Sequence, residues 1–462
     1  MPGISYARRQ MMVLPPLNDT IAAISTAPGV GAIGIVRLSG PRSHALVEKL
    51  TGQPLAGPNL LVRRLLADPA TRRHLDEAMV AVFRAPDSFS GEDMAEIHAH
   101  GNWTLLMDIL DTFIALGARR AGPGEFTLRA YLNRKIDLAR AEAVADLIHA
   151  RSEEGRRSAV EALAGRLTRR YEEWKSRILR WKALTEVAID FTDDVREGEA
   201  QPVMAVQVKE LAAEVAALVA TWERGRAVTE GIRVVLAGNP NAGKSSLFNR
   251  LLGENRAIVH EEPGTTRDRI EEWCLVGRIP ARLTDTAGIR EGTGGVEAEG
   301  ISRSRQALES ADIVLHVVDS VKGLSGEDQA IIAAVDPARR IGIWNKTDLP
   351  GTQPLPDTGP WIPVSCATGE GLENLVRAVE VRYGSGNEGP EGIVIARRRQ
   401  RDALAAVAEA LGEAARLMEA GDLPEVVSVE FQAALDRIGE LTGETTPDDV
   451  LGAIFSEFCI GK

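Results

Sequence analysis

Residues 238–245 are Gly238-Asn239-Pro240-Asn241-Ala242-Gly243-Lys244-Ser245, and they directly follow the apolar run Ile232–Ala237. The glycines let this segment fold around phosphate groups, and its successive N–H groups form an anion-binding nest with the N-terminus of the helix that follows. Lys244 can reach the β- and γ-phosphates, and the Ser245 hydroxyl can bind Mg²⁺. The segment therefore predicts the phosphate loop of a nucleotide-binding α/β domain.

Two downstream segments predict the Mg²⁺ and γ-phosphate contacts. In Gly264-Thr265-Thr266-Arg267-Asp268, the Thr266 hydroxyl is placed to bind both groups. In Asp285-Thr286-Ala287-Gly288, Asp285 would hold Mg²⁺ through water, and Gly288 would present its N–H to the γ-phosphate. Each segment is weak evidence alone, but both follow the phosphate loop in the order that GTPases require.

Two further segments predict recognition of guanine. In Asn345-Lys346-Thr347-Asp348, the Asp348 carboxylate can accept from N1–H and N2–H of guanine, a pattern that adenine lacks. Ser365-Cys366-Ala367 follows another apolar strand and would set a backbone N–H against guanine O6. The predicted GTP contacts are Asn241, Ala242, Gly243, Lys244, Ser245, Ser246, Thr265, Thr266, Asp285, Thr286, Ala287, Gly288, Asn345, Lys346, Asp348, Ser365, Cys366 and Ala367.

The position that would orient the attacking water lacks the expected residue. Many small GTPases have a Gln directly after the Asp-x-x-Gly segment, and this chain has Ile289. A carboxylate of the polar segment that follows could act instead, and chemistry alone does not choose among Glu291, Glu297 and Glu299. Asn241 leaves a second question open, because its amide oxygen could bind a monovalent cation beside the phosphates or could only stabilise the turn.

The chain on either side of this domain has a different character. Strands are predicted at Thr20–Ser25, Ile33–Leu38, Ala78–Phe83 and Met94–Ala99, with helices between them. Apolar residues recur at intervals of three and four after residue 134 and again after residue 392, as in amphipathic helices. The predicted fold is multidomain: an α+β N-terminal domain (residues 17–133), an all-α helical bundle domain in two parts (134–228 and 387–462) and an inserted α/β P-loop GTPase domain (229–386).

Composition narrows the class of protein. The 462 residues are 44% hydrophobic and 26% charged, which is typical of globular domains. A net charge of −12 argues against a protein-wide basic surface for nucleic acid, although a local basic patch remains compatible with it. The three scattered cysteines predict neither a disulfide framework nor a zinc site. The scattered cysteines therefore indicate a cytoplasmic protein. No apolar run approaches the roughly 20 residues of a membrane span, so we expect no membrane partner.

Several blocks outside the GTPase domain are specific to one family. They are Asn18-Asp19-Thr20-Ile21, Gly34-Ile35-Val36-Arg37-Leu38-Ser39-Gly40, Ser88-Phe89-Ser90-Gly91-Glu92-Asp93, Pro123-Gly124-Glu125-Phe126, Lys135-Ile136-Asp137-Leu138-Ala139-Arg140-Ala141-Glu142-Ala143 and Phe458-Cys459-Ile460-Gly461-Lys462. With these blocks and the nucleotide-binding segments, nearly the whole chain resembles the MnmE (TrmE) family of bacterial tRNA-modifying GTPases.

The resemblance implies a biochemical role. Members of the family bind a 5-formyltetrahydrofolate-type one-carbon donor in the N-terminal domain, through which they form a homodimer. With a flavin- and NADH-dependent partner, MnmG (GidA), they form a heterotetramer. Together they install an aminomethyl-type group, carboxymethylaminomethyl or a related one, on C5 of the wobble uridine of certain tRNAs. K⁺ promotes contact between two GTPase domains and speeds hydrolysis.

Matching positions one by one, the resemblance also implies individual roles. Glu297 matches the family's water-orienting glutamate and is thereby selected from the three candidates. The implied Mg²⁺ ligands are Ser245 and Thr266. The implied K⁺ ligands are Asn241, His260, Glu262 and Thr265. The implied folate contacts are Arg37, Glu96, Lys135 and Lys462. Cys459 matches a cysteine proposed to take part in the modification. His260, Glu262 and Ala367 differ from the residues that other members have at these positions.

Two other classes of protein share the nucleotide-binding segments. A ribosome-assembly GTPase would bind RNA, but it does not explain the N-terminal blocks or a helical bundle divided by the GTPase domain. A regulatory GTPase switch would need an external activating protein, and it would hydrolyse GTP slowly and without regard to K⁺.

Overall fold

The computed structural model describes residues 18–190, 197–254, 271–285, 306–383, 393–456 and 458–461. The chain forms two compact units. The first contains the chain up to Ala145, Ala162–Ser176 and the chain from Leu435 onward; the second contains Asp146–Glu161 and Arg177–Ala434. Within the part of the chain that the structure describes, no helix combines the length and the apolar character needed to cross a lipid bilayer.

A mainly antiparallel sheet forms the centre of the first unit. Its strands are β1 (Ile21–Ile24), β2 (Gly31–Ser39), β3 (Val62–Ala67), β4 (His74–Phe83), β5 (Met94–Gly101) and β6 (Arg119–Arg120). Their order across the sheet is β3-β4-β5-β2-β1-β6, and β6 pairs with β1 in parallel. The four strands predicted from the sequence are confirmed as β1, β2, β4 and β5, whereas β3 and β6 are absent from the prediction.

Helices cover this sheet and extend the unit. On one face α1 (Ser43–Thr51) and α2 (Trp103–Ala115) share a buried apolar core with β1, β2 and β5. A second core joins α3 (Glu125–Leu132) and the start of α4 (Leu138–His149) to α14 (Asp448–Ser456). Phe455 and Phe458 belong to this second core, so the end of the chain helps to complete the first unit.

A mainly parallel sheet forms the centre of the second unit. Its strands are β7 (Ile232–Ala237), β8 (Glu271–Val276), β9 (Ile279–Asp285), β10 (Ile313–Asp319), β11 (Arg340–Asn345) and β12 (Trp361–Val364). Their order is β12-β11-β10-β7-β9-β8, and β8 is the antiparallel edge strand. Strands β10 and β11 are buried along their whole length, as expected where helices cover both faces. The carboxyl ends of β7, β10 and β11 consequently place their loops at one edge of the sheet, the usual ligand edge of such folds.

Helices α9 (Lys244–Glu254), α10 (Gly326–Ala334) and α11 (Leu372–Tyr383) connect these strands. The remaining helices are α5 (Glu153–Leu163), α6 (Arg166–Asp190), α7 (Glu197–Val219), α8 (Trp222–Thr229), α12 (Arg398–Ala420) and α13 (Pro424–Thr442). All strands of the parallel sheet lie between α8 and α12 in the sequence, which agrees with the predicted α/β and all-α parts of the fold. A Cβ on Gly225 of α8 would lie 2.0 Å from the carbonyl oxygen of Ile395, which precedes α12. The backbone before α12 therefore approaches α8 at a distance that only glycine permits.

Candidate nucleotide-binding site

The phosphate loop, residues 238–245, runs from the carboxyl end of β7 into α9. Gly238 has a φ of 140°, and a Cβ there would lie 2.1 Å from the carbonyl oxygen of Val317 on β10. Asn241 has a φ of 63°, a left-handed conformation that Asn tolerates better than most residues. Asn241 therefore allows the left-handed turn of the loop. A K⁺-binding role for its side chain stays a prediction.

The loop ends with the residues predicted to contact phosphate and Mg²⁺. The buried Lys244 ammonium donates to the carbonyl oxygens of Gly238 at 2.9 Å and of Asn239 at 2.8 Å. The Ser245 hydroxyl donates to Asp285 Oδ2 at 3.0 Å. The structure thus brings together a hydroxyl and a carboxylate, which are hard oxygen donors of the kind that Mg²⁺ prefers. Ser246 follows on the exposed side of α9.

Asn345 joins the phosphate loop to the guanine-recognition segment. Its Nδ2 donates to the carbonyl oxygen of Ala242 at 2.8 Å, and its Oδ1 accepts from the backbone N–H of Cys366 at 3.2 Å. Gly243 has to be small here, because its Cβ would lie 2.0 Å from Asn345 Nδ2. A single buried side chain therefore fixes the spacing between the segments predicted to bind phosphate and base.

Lys346 makes a second link between the same segments. Its ammonium donates to the carbonyl oxygen of Asn241 at 2.8 Å and to Asp319 Oδ2 at 2.7 Å. Burial favours the protonated form of Asp319, but the Lys346 ammonium and the backbone N–H of Val321 outweigh it, so the net pKa of Asp319 lies below its usual value. Asp319 therefore stays ionised and holds the long Lys346 side chain against the loop.

The predicted guanine-binding carboxylate is exposed and oriented. Ser365 Oγ donates to Asp348 Oδ1 at 2.6 Å and accepts from the backbone N–H of Thr368 at 3.1 Å. Ser365 is fully buried, whereas Asp348 and Ala367 are exposed at the edge of the sheet. Burial raises the pKa of the neighbouring Cys366 thiol to about 11, so this cysteine is protonated at neutral pH. The arrangement leaves an oriented carboxylate exposed beside the loop that contains Ala367.

Several predicted site residues lie outside the described residues. They are His260, Glu262, Thr265, Thr266, Thr286, Ala287, Gly288, Glu297 and Lys462. Their roles as ligands of Mg²⁺, K⁺, the γ-phosphate and folate, and the water-orienting role of Glu297, stay predictions.

Two residues at this site are absent from the prediction. Asp319 ends the apolar strand β10 at the ligand edge of the sheet, and that position is a signal which the sequence does contain. Asn239 holds the start of the phosphate loop through its side chain, which donates to Ser325 Oγ at 2.7 Å and to Asp328 Oδ2 at 2.6 Å. No motif spacing connects Asn239 with Ser325 and Asp328, since they meet only in the folded sheet.

The first unit brings two of the predicted folate contacts together. Arg37 on β2 and Glu96 on β5 are paired in register, and Arg37 Nη2 lies 2.8 Å from Glu96 Oε1. The other Glu96 oxygen lies 3.0 Å from His98 Nε2. The Arg37 guanidinium also lies 5.8 Å and 5.7 Å from the ring centres of Phe89 and Phe126. Arg37 thus holds the Glu96 carboxylate and lies near two aromatic rings, of which Phe89 is exposed and Phe126 is buried.

Lys135 and the C-terminal residues border the same unit. Lys135 donates to the carbonyl oxygen of Pro86 at 2.8 Å, in the loop that carries Phe89. Ile460 forms a β-bridge with Pro123, and Cys459 is exposed. The residue before Lys462 therefore lies in the first unit, but the position of the Lys462 ammonium is outside the described residues.

Comparisons with known proteins match nearly all of the chain to one family. A family model described as the MnmE helical domain matches residues 138–459, and one described as the GTP-binding protein TrmE N-terminus matches residues 20–135. The chain is 41% identical over 464 residues to the tRNA modification GTPase MnmE of Moorella thermoacetica, covering 96% of this chain and 100% of that protein. It is 42% identical over 459 residues to the protein of the same name from Syntrophotalea carbinolica, covering 96% and 99%.

Among solved structures, the G domain of the T. maritima FeoB iron transporter is 28% identical over 33% of this chain and 99% of that chain. The TM-score of this comparison is 0.24.

Proposed function

We propose that GTP hydrolysis by this chain serves the modification of C5 of the wobble uridine of certain tRNAs, because the chain belongs to the MnmE family of tRNA modification GTPases. Membership of the family makes the chain a GTP hydrolase that binds its nucleotide with Mg²⁺. The observation that carries the proposal is the identity of 41% and 42%, over 96% of this chain, with two proteins named tRNA modification GTPase MnmE. The Asn345 side chain supports the nucleotide-binding part, because it donates to the carbonyl oxygen of Ala242 in the phosphate loop at 2.8 Å and accepts from the backbone N–H of Cys366 at 3.2 Å. One residue thus links the two segments that are predicted to bind phosphate and guanine.

Hydrolysis needs an oriented water and positive charge near the γ-phosphate. In this proposal Glu297 would orient the water, while Ser245 and Thr266 would hold Mg²⁺. Asn241, His260, Glu262 and Thr265 would hold a K⁺ ion, which would supply the positive charge that an arginine finger supplies in other GTPases. The position of Lys244 and the 2.7 Å ion pair between Lys346 and Asp319 support a rigid phosphate loop on which such ligands can act.

The folate would bind in the first unit, at Arg37, Glu96, Lys135 and Lys462. The Glu96 carboxylate is held by Arg37 and His98 and could accept from N–H groups of a pterin ring. The exposed ring of Phe89 would offer an apolar face to a flat ligand, since small-molecule sites combine apolar faces with a few placed polar groups. Lys135 and Lys462 would attract the anionic tail of 5-formyltetrahydrofolate or a related folate.

The proposed assembly is a homodimer that joins MnmG (GidA) in a heterotetramer acting on tRNA. MnmG would supply the flavin- and NADH-dependent chemistry. The exposed Cys459 thiol, near the end of the chain, is proposed to take part in the modification. Because the net charge is −12, binding of tRNA would depend on a local basic patch or on the partner.

Mass spectrometry of wobble uridines from cells that lack this protein tests the proposal. The cells are complemented with the wild-type protein, with Glu297→Ala or with Glu299→Ala. We expect the C5 modification to disappear in the deletion strain and to return with the wild type and with Glu299→Ala, but not with Glu297→Ala. Glu299 is the matched control because it is the same residue type in the same segment.

Wobble uridines that keep their modification in the deletion strain would contradict the proposal. Intact uridines together with immature ribosomal subunits would favour the ribosome-assembly alternative. Equal rescue by both glutamate variants would remove Glu297 from the mechanism while leaving the substrate assignment intact.

A further inference from the structure

A buried polar pair lies beside the phosphate loop and has no role in the reaction described above. His316 lies in the middle of β10, and Asp328 lies in the first turn of α10. His316 Nε2 is 2.9 Å from Asp328 Oδ1, and both side chains are completely buried. Because buried polar groups are costly unless they are paired, this pair needs a structural or functional reason.

Asp328 connects His316 to the phosphate loop. Its Oδ2 accepts from Asn239 Nδ2 at 2.6 Å, and also from the hydroxyl at 2.7 Å and the backbone N–H at 2.9 Å of Ser325. The bond from Ser325 N–H and the reciprocal bond from Asp328 N–H to Ser325 Oγ at 3.2 Å form a capping box at the start of α10, as they would in any helix of this type. The bonds to His316 and Asn239 exceed what a cap requires, and they run from the sheet core to the second residue of the loop.

The proton on His316 can be assigned from its surroundings. Burial lowers the pKa of His316 in spite of the neighbouring carboxylate, so the ring is neutral at neutral pH. Among the described residues, His316 Nδ1 has no hydrogen-bond partner. His316 Nε2 faces Oδ1 of the Asp328 carboxylate, whose other oxygen, Oδ2, accepts from Asn239 and Ser325. The neutral ring therefore carries its hydrogen on Nε2 and donates it to Asp328.

Asn239 in turn determines where the catalytic part of the loop lies. Its carbonyl oxygen accepts from the Lys244 ammonium at 2.8 Å and from the backbone N–H of Ala242 at 3.3 Å. A displacement of Asn239 would therefore move both the lysine predicted at the phosphates and a turn of the anion-binding nest.

We propose that His316 is a positioning residue for nucleotide binding, which acts through Asp328 and Asn239 to hold the start of the phosphate loop. The proposal rests on GTP binding and hydrolysis by this site and is independent of the tRNA, folate and partner assignments. His316 and Asp328 touch no nucleotide; their effect reaches it through the loop.

The dissociation rate of a fluorescent GDP analogue, measured by stopped flow on the full-length protein, tests this proposal. We expect the rate to rise about tenfold in both His316→Leu and Asn239→Ala, the factor that corresponds to ~1.4 kcal/mol. In His316→Gln the terminal amide can still donate to Asp328, so we expect a rate within about twofold of wild type. The double variant His316→Leu/Asn239→Ala should be no faster than either single variant, because both changes break one chain of contacts.

Val314→Ala is the matched control. Val314 is a fully buried residue of the same strand, at the end remote from the loop, and its truncation removes packing without touching the chain of contacts. We expect it to lower the resistance to urea and to leave the dissociation rate unchanged. A His316→Leu rate no higher than that of Val314→Ala, or rates that multiply in the double variant, would overturn the proposal.

Histidine ¹⁵N spectroscopy supplies a readout that is independent of variant folding. In the wild-type protein we expect the His316 ring as the Nε2–H tautomer. In Asp328→Asn the side-chain oxygen remains with Asn239 and Ser325 while its NH₂ faces the ring, so the hydrogen should move to Nδ1. A wild-type ring protonated on Nδ1 would refute the assignment even if His316→Leu does not fold. Loss of preference for guanine over adenine analogues in the wild type would instead count against the nucleotide site itself.

Discussion

His316 makes the stability of the second unit depend on pH in a defined direction. Burial lowers its pKa, Asp328 opposes this effect, and the Arg340 guanidinium adds to it. Below about pH 6.5, the ordinary pKa of histidine, His316 becomes protonated in the unfolded chain but stays neutral in the folded protein. Above pH 6.5 this difference in protonation does not affect the free energy of unfolding. Below pH 6.5 it lowers the free energy of unfolding by up to ~1.4 kcal/mol per pH unit. In urea unfolding between pH 7.5 and pH 5.5, we expect His316→Gln to lose less stability than the wild type; parallel losses would contradict the assignment.

Asp348 is the residue on which the preference for guanine depends. In Asp348→Asn an amide donor replaces one carboxylate oxygen, so the side chain can no longer accept from both N1–H and N2–H of guanine. We expect GTP affinity to fall about 100-fold and xanthosine triphosphate, which has an oxygen at C2, to become the better ligand. Calorimetry with both nucleotides measures the change. Ser365→Ala is the control: it removes the 2.6 Å bond that orients Asp348, and should weaken GTP about tenfold without favouring xanthine.

At the scale of elements, the contact between the phosphate loop and β10 requires a glycine. In Gly238→Ala the added methyl group would lie 2.1 Å from the Val317 carbonyl oxygen, at a φ of 140° that alanine rarely adopts. We expect GDP binding to be lost in fluorescence titrations. Gly412→Ala in α12 makes the same chemical change where no described atom lies within 4 Å, and it should raise stability by about 0.5–1 kcal/mol with unchanged GDP affinity. Full GDP affinity in Gly238→Ala would show that the loop can leave β10.

Elements with a strong local pattern could be predicted from the sequence, and those defined by pairing could not. The phosphate loop and β7 are one continuous segment, so Lys244 and Ser245 are placed by their neighbours in the chain. Strand β3 contains Arg63 and Arg64 at the edge of its sheet, where no apolar alternation marks it, and β6 has two residues. His316 lies inside an apolar strand and is indistinguishable there from a core position; its partner on α10 is known only once the sheet has formed.

At the scale of the whole molecule, the last residues of the chain pack on its first domain. Gly124 N–H donates to the Cys459 carbonyl oxygen at 3.3 Å, and a Cβ on Gly461 would lie 2.4 Å from the Ile24 carbonyl oxygen of β1. Strand β1 pairs with the strand that carries Arg37. We therefore expect deletion of residues 459–462 to weaken binding of 5-formyltetrahydrofolate at least tenfold in calorimetry, because it removes Lys462, a predicted folate contact, and the residues that pack beside β1. GDP affinity should not change.

Three point variants separate the possible causes of that loss. Cys459→Ser keeps the tail and removes the thiol, so folate affinity should stay at the wild-type value. Arg37→Ala should weaken folate as much as the deletion does, whereas Arg63→Ala removes an equal charge from an exposed ion pair with Glu77 and should have no effect. If the deletion leaves folate affinity intact while Arg37→Ala abolishes it, the site is complete without the C-terminus, and the packing of the chain end on β1 serves only the stability of the first unit.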